Sequence, residues 1–225
     1  RQMCIRDRYK GEAHFLRGLY YFNLVRLFGD VPWIDKQQTA SDDLQVSRTS
    51  KDIVYQHIID DFSDAASMLP AVYENTTDIG RATKGAAFGL LAKVYLTLKR
   101  YNETLVAIDS VMNLGVYSLN RKYEWNFSDL RENGPESLFE VQYEKDVTAY
   151  SEFDILGQGG WHHEYMAPLA SINIGGPWGN FGWFAVYPEF VESYEPGDLR
   201  KSVSVWCEGA VSYTHLRAHE TVLDL

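Results

Sequence analysis

Residues 150–187 hold the side chains of this sequence whose types best fit a chemical role, because large aromatic and polar residues are interspersed there with glycine. Aromatic rings at a surface can stack on the flat apolar faces of a ligand. Trp161 and Trp178 are each flanked by glycine or proline, which favour turns that expose a ring. Long irregular segments of this composition are often functional. The alternative is that the rings form a small satellite core beneath a long loop.

Paired acids and histidines are the other candidates for chemistry. Asp42-Asp43 and Asp60-Asp61 are adjacent in sequence, whereas glycosidase carboxylates face each other across a bond from different elements. Neighbouring acids on a helix usually form a solvated face. The side chains of His162-His163 point apart in a strand or a helix, so both do not readily bind one ion. Motifs for serine hydrolases, phosphate loops, dinucleotides and zinc proteases are absent from the sequence. We therefore predict no catalytic residue, no metal site and no cofactor.

Composition limits the partners. The 225 residues carry a formal net charge of -10, and 14% of them are aromatic. So acidic a surface repels phosphate backbones and anionic lipid, which disfavours nucleic acid and electrostatic membrane docking. The two cysteines, Cys4 and Cys207, form neither a disulfide framework nor a metal motif. No apolar run reaches the 18 residues of a membrane span.

Helical periodicity dominates the first half of the chain. The first predicted helix covers residues 11–28 and ends at Gly29, a typical C-terminal residue. Ser50, Thr83 and Asn102 are the predicted N-caps of three further helices. The residues predicted to face the core are Ala13, Leu16, Tyr20, Leu24 and Leu27, widened by Phe15, Leu19, Phe22 and Phe28, in the first helix; Val54, Ile58, Phe62, Ala65 and Leu69 in the second; Ala87, Leu90, Leu91, Val94, Tyr95 and Leu98 in the third; and Leu105, Ile108, Val111 and Met112 in the fourth.

A short turn joins the third and fourth helices into an αα-hairpin. The order of large, small and aromatic residues from Phe88 to Tyr101 resembles a tetratricopeptide unit. Alternation in residues 137–144 predicts a short strand, and residues 189–194 predict a short helix. The predicted fold class is mainly α, with tetratricopeptide-like helical hairpins followed by a long irregular aromatic- and glycine-rich loop region with short β-strands.

Five stretches of the chain, in order, resemble the SusD/RagB family of outer-membrane nutrient-binding lipoproteins. EAHFLRGLYYFNLVRLFGDVPW is similar to the family's signature helix and turn, and SRTSKDIVYQHIIDDFSDAASMLP to its next helix. RATKGAAFGLLAKVYLTLKRYNETLVAIDSVMNLGVYSL resembles its tetratricopeptide hairpin. NGPESLFEVQY is similar to the strand that follows, and PEFVESYEPGDLRKSV to a later motif. The resemblance spans residues 10–206.

The resemblance implies a lipid-anchored protein on the cell surface that is not an enzyme. Such a protein presents an oligosaccharide or polysaccharide to a SusC-like TonB-dependent transporter in the outer membrane. Its hairpins form the scaffold and part of the transporter contact, and irregular loops bind sugar. Because sugar rings stack on aromatic rings and their hydroxyls pair with polar groups, the residues predicted to bind glycan are Trp161, His162, Tyr165, Trp178, Asn180, Phe181 and Trp183.

Two other functions stay open at this point. A tetratricopeptide-type scaffold that binds protein without binding glycan would explain residues 83–115 but not the aromatic loop. A glycan hydrolase would need two facing carboxylates, one of them with a raised pKa.

The resemblance also sets boundaries. Residues 9–210 are predicted to be part of a SusD/RagB-like domain, with helical hairpins over 9–116 and a loop-rich, glycan-facing part over 117–210. The family's signal peptide, lipidated cysteine and additional helices are not found in this sequence. Residues 1–8 and 211–225 resemble translated sequencing adapters, so we expect neither segment to be native. Arg26, Asp30, Asp198 and Arg200 are predicted to tie down turns and to bind no ligand.

Overall fold

The computed structural model of the chain describes residues 5–39, 45–128, 131–142 and 186–205. The chain divides into two compact units, one of Arg1–Arg121 with Ser128–Val141, the other of Lys122–Phe127 with Gln142–Leu225. None of the helices among the described residues has the length and apolarity needed to span a bilayer.

Four helices build the first unit. They are α1 (Ile5–Phe28), α2 (Lys51–Met68), α3 (Lys84–Thr97) and α4 (Tyr101–Met112). A single 3-10 turn, Thr76–Asp78, lies between α2 and α3. Each helix packs mainly on the next one along the chain, α1 on α2, α2 on α3 and α3 on α4. This sequential packing is that of stacked helical hairpins, and it confirms the mainly α, helical-hairpin part of the predicted fold class.

The described residues of the second unit form shorter elements. These are a 3-10 helix, Tyr123–Phe127, followed by α5 (Pro188–Glu192) and α6 (Lys201–Ser204). The short helix predicted at residues 189–194 is therefore present as α5, displaced by one or two residues. The strand predicted at residues 137–144 is wrong for its described part, since residues 137–142 form no strand. The β-structure of the described residues is one isolated bridge between Val31 and Thr49.

Apart from α1, which begins at Ile5 rather than at residue 11, helix ends follow the sequence signals with two exceptions. Gly29 ends α1 in the left-handed conformation at φ +69°, where glycine has no Cβ penalty. Thr83 caps α3 by accepting a hydrogen bond from the Ala86 amide at 3.1 Å. Ser50 occupies the N-cap of α2 but makes no side-chain cap, and the Asp30 carboxylate accepts from the Lys51 amide instead, at 2.8 Å. The other exception is α4, which begins at Tyr101 rather than after Asn102.

The buried stripe of α1 differs from the predicted one. It consists of Gly11, Phe15, Gly18, Phe22 and Val25. Ala13, Leu16, Tyr20, Leu24, Leu27 and Phe28 are exposed, so they were wrongly placed in the core. The physical reason is close helix packing. A Cβ on Gly18 would lie 3.1 Å from the Phe62 ring of α2. Glycine therefore lies where α1 touches α2, and an apolar pattern does not count glycine as a core residue.

The predicted faces of α2 and α3 are confirmed, whereas that of α4 is mostly wrong. The predicted residues of α2 are all buried, and those of α3 are buried or packed against the core. In α4 the buried positions are Thr104, Ala107 and Val111. Leu105, Ile108 and Met112 are exposed. Only one face of α4 meets α3, and the described residues place no helix on its outer face.

The segment after α4 packs against two glycines of α3. A Cβ added to Gly85 would lie 2.2 Å from the Tyr117 ring, and one added to Gly89 would lie 2.7 Å from Cδ1 of Leu138. The neighbouring Phe139 reaches the core, where its ring meets Phe15 edge-on at 4.9 Å. The segment after α4 is therefore part of the first unit's core.

The Gly85→Ala substitution is expected to destabilise the chain by about 1–3 kcal/mol. The new methyl group would overlap the Tyr117 ring and displace the tyrosine from its hydrogen bond with Thr83. Gly89→Ala is the matched control, because its nearest atom is the tip of a flexible leucine and the next lies 3.8 Å away. Alanine also gains about 1 kcal/mol of helix propensity over glycine. Urea unfolding followed by circular dichroism compares the two, and equal stability of the variants would contradict the packing described.

Candidate functional site

The seven residues predicted to bind glycan, Trp161, His162, Tyr165, Trp178, Asn180, Phe181 and Trp183, lie outside the described residues. Their role stays a prediction. Within the part of the chain that the structure describes, no group of three or more histidine, cysteine, aspartate or glutamate residues could hold a metal ion. The chemistry-bearing side chains of the described residues form two polar clusters, one aromatic cluster and two clefts.

Trp33 follows the turn after α1 and is held by three side chains. The His57 ring stacks on it with a centroid distance of 4.5 Å, and the Tyr21 ring lies 4.3 Å away. The Arg17 guanidinium lies 5.1 Å over the indole. The Ile34 amide donates to the Tyr21 hydroxyl at 2.9 Å, which fixes the loop further. Trp33 therefore anchors the loop to α1 and α2.

Asp61 of α2 forms a buried ion-pair cluster with α1. Its side chain accepts from Arg17 Nε at 2.8 Å and Nη2 at 2.6 Å, and it contacts His14 Nδ1 at 2.7 Å. The predicted solvated face is therefore wrong for Asp61, which is only 2% exposed. It holds for Asp60, which is exposed. Successive residues of a helix point in different directions, so adjacent acids need not share an environment. Asp42-Asp43 lie outside the described residues.

A second charged cluster ties the loop after α2 to α1. Glu12 pairs with Arg81 at 2.9 Å, and Asp78 pairs with Arg81 at 2.8 Å and with Arg8 at 3.2 Å. Burial raises the pKa of Tyr73 well above its usual range, and the nearby Glu12 carboxylate adds to that rise. Arg8 lies in the segment predicted to be a non-native leader, of which residues 5–8 are the first residues of α1. That boundary stays a prediction.

A first cleft, the loop cleft, lies among residues 71–73, 79–83, 116–117 and 133–140 of the first unit and encloses about 230 Å³. Its polar groups already bind each other. The Thr83 and Tyr117 hydroxyls share a hydrogen bond of 2.8 Å, and the backbone N–H of Asn133 donates to the Glu140 carboxylate at 2.9 Å. Pockets for small molecules usually enclose about 300–1,000 Å³. Small volume and committed polar groups make the loop cleft a junction between loops.

The second unit contains a larger cleft of about 370 Å³, here named the Tyr194 cleft. Its aromatic lining includes an edge-on pair, Phe190 with Tyr194, whose centroids lie 5.5 Å apart. Arg200 donates to the Asp198 carboxylate through Nε at 2.9 Å and Nη2 at 2.6 Å. This hydrogen bonding lowers the pKa of Asp198 to about 2. The cleft is lined by Tyr123, Phe190, Ser193, Tyr194, Glu195, Asp198 and Arg200.

The four residues predicted to tie down turns do make local contacts. Asp198 also accepts from the Arg200 amide at 2.9 Å, which closes the turn before α6. Asp30 caps α2 as described above. Arg26 donates to the Asn23 side chain at 2.7 Å and covers the Phe22 ring at 4.4 Å. These contacts confirm the prediction that the four residues tie down turns.

The stacked hairpins of the first unit define the chain as a mainly α protein of the tetratricopeptide-like type. Residues 4–96 match a SusD-like family described as "Starch-binding associating with outer membrane". The SusD-like protein P2 of Formosa agariphila is 27% identical over 206 residues, which are 86% of this chain and 38% of the relative. The chain is similar to SusD-like proteins, and it matches the family model over residues 4–96. It spans well under half the length of that relative.

Solved structures agree in fold. A SusD superfamily protein from Parabacteroides distasonis is 30% identical and superposes with a TM-score of 0.73 over 89% of this chain and 42% of its own. A SusD-like protein from Bacteroides fragilis is 36% identical, with a TM-score of 0.58 over 62% of this chain and 28% of its own. Two further similar structures are described with a carbohydrate. A laminarin-binding SusD-like protein is 30% identical, with a TM-score of 0.53 over 59% of this chain and 30% of its own. A structure with xylogluco-oligosaccharide is 26% identical, with a TM-score of 0.57 over 64% of this chain and 31% of its own.

Proposed function

We propose that the chain is part of a cell-surface protein that captures an oligosaccharide and delivers it to a TonB-dependent outer-membrane transporter. The observation that carries the proposal is the similarity to SusD-like proteins, since two similar structures are named for laminarin and for a xylogluco-oligosaccharide. In this proposal the four helices are a rigid scaffold. Attachment to the outer membrane through a lipid anchor belongs to the same proposal.

The proposed glycan-binding residues lie in the aromatic- and glycine-rich segment of residues 150–187 and are Trp161, His162, Tyr165, Trp178, Asn180, Phe181 and Trp183. Their composition supports the proposal, because an indole offers a large apolar face and the neighbouring histidine and asparagine offer hydrogen bonds to hydroxyls. Trp161 and Trp178 are the leading candidates, since glycine or proline beside each favours an exposed turn.

Replacing either tryptophan by alanine is expected to weaken glycan binding by about 1 kcal/mol or more, which is about fivefold in Kd. A glycan array identifies the ligand, and calorimetry then compares the native chain with Trp161→Ala and Trp178→Ala. Tyr101→Ala is the control, because Tyr101 is an exposed aromatic residue on α4 of the first unit. Unchanged affinity in both tryptophan variants would remove these rings from the binding site, and a native chain that binds no glycan would refute the proposed function.

A protein-binding scaffold is the second candidate, and one observation favours it. Leu105, Ile108 and Met112 form an exposed apolar stripe on the outer face of α4 at the spacing that helix partners use. In the first proposal this stripe belongs to the contact with the transporter. Co-purification of the transporter with the native chain, but not with a Leu105→Asp variant, supports that contact. Protein binding together with a complete lack of glycan binding would favour the scaffold function.

The same proposal has the chain bind glycan without cleaving it. Prolonged incubation with the bound oligosaccharide, followed by chromatography of the products, separates binding from hydrolysis. Shortened oligosaccharides would favour the hydrolase alternative.

A further inference from the structure

We propose that the Tyr194 cleft binds one or two uncharged sugar residues, as a contact additional to the glycan-binding residues proposed between positions 161 and 183. This inference rests on the proposed glycan-binding function and deepens it by naming a second contact and the charge class of the sugar. It is carried by residues of the second unit that the structure describes.

The cleft offers an apolar platform. Tyr123 and Phe190 are 39% and 52% exposed as whole residues, so both lie open to solvent. Phe190 is braced edge-on by Tyr194, and Tyr123 is braced edge-on by Phe127 at 5.2 Å. Rings held by such pairs lose little freedom when a ligand stacks on them. An exposed and braced ring suits the apolar face of a sugar better than it suits a flexible chain.

The cleft also offers hydrogen-bonding groups of the kind that hydroxyls require. A guanidinium has five N–H donors, and Arg200 uses those of Nε and Nη2 to hold Asp198. The Nη1 donors of Arg200 and the Tyr194 hydroxyl have no hydrogen-bond partner among the described residues. Fixed donors beside an aromatic platform can bind the hydroxyls on the edge of a stacked sugar ring.

Charge decides the class of sugar. The Asp198 carboxylate neutralises the Arg200 guanidinium in the cleft, and because its pKa is about 2 it does so throughout the neutral and mildly acidic range. Glu195 then leaves the lining with one uncompensated negative charge. A uronate or sulfated sugar would meet repulsion there, so the cleft favours neutral sugars. A volume of about 370 Å³ is near the lower end for ligand pockets, which fits a short stretch of glycan.

Calorimetry with the full chain tests the cleft, using laminarin oligosaccharide and xylogluco-oligosaccharide as neutral probes and oligogalacturonate as the charged probe. Tyr194→Ala is expected to weaken binding of a neutral probe about tenfold, and Arg200→Lys about threefold, because lysine lacks the planar fork. Tyr101→Ala should bind like the native chain, and oligogalacturonate should bind more weakly than both neutral probes. Thermal unfolding by circular dichroism checks that each variant is folded. If Tyr194→Ala does not fold, the affinity of Arg200→Lys for the neutral probe decides the inference.

The outcomes separate this inference from the function on which it rests. If the native chain binds a neutral probe, Trp178→Ala weakens that binding and neither cleft variant does, the cleft inference is overturned while the proposed function stands. Preferential binding of oligogalacturonate would also overturn it. If the native chain binds none of a full set of glycans, the proposed function and the cleft inference fail together.

Discussion

Phe15→Ala is expected to lower the free energy of unfolding by about 3–5 kcal/mol, the largest effect we expect from any single substitution in this chain. Phe15 is fully buried, and its ring meets Phe62 of α2 edge-on at 5.9 Å and Phe139 at 4.9 Å. It therefore joins α1, α2 and the segment after α4 in one core. Alanine would remove the ring and leave a cavity between three elements that cannot all close on it.

Leu27→Ala is the matched control in the same helix. Leu27 belongs to the apolar stripe predicted from sequence, yet it is 76% exposed. Its truncation should therefore change the free energy of unfolding by no more than about 0.5 kcal/mol. Urea unfolding of both variants measures the difference. Comparable losses from the two substitutions would mean that α1 buries the predicted stripe rather than the observed one.

Asp61→Ala is expected to cost about 3 kcal/mol, the second largest effect. Removing the buried carboxylate leaves Arg17 and His14 without their shared partner between α1 and α2. The cost lies toward the lower end for broken buried ion pairs, because the Arg17 side chain is 33% exposed and water can take over some of its hydrogen bonds. Thermal unfolding of the full chain measures the loss as a lower Tm.

Asp60→Ala provides the comparison for Asp61. Asp60 is the next residue of the same helix, and it is exposed with a single hydrogen bond to Gln56 at 2.9 Å. Losing one exposed i, i+4 contact costs about 0.2–0.5 kcal/mol. Asp61→Asn should be intermediate, since it keeps the shape and one acceptor oxygen but loses the charge. If Asp60→Ala were as harmful as Asp61→Ala, the buried cluster could not be the cause.

Much of the first unit could be predicted from the sequence because the signals there are local. The existence of the four helices, the Thr83 cap and the end of α1 at Gly29 depend on neighbouring residues, and each was predicted from the sequence. The order of family motifs indicated similarity to SusD-like proteins for the same reason, because reading motif order needs no knowledge of contacts, and residues 4–96 match that family's model. The proposed glycan-binding residues were predicted only from residue type, and they lie outside the described residues.

Tertiary structure alone decided which faces of α1 and α4 are buried. The sequence of α1 offers apolar residues on most of its circumference, so its pattern could not choose between Phe15 and Leu16. Gly18 decides, because a position without a side chain lets the ring of Phe62 reach the helix backbone. The burial of Asp61 and the arrangement of the Tyr194 cleft were equally invisible, because each depends on residues brought together from distant parts of the chain. Local patterns determine helices and their ends, whereas pairing across space determines faces, ion pairs and clefts.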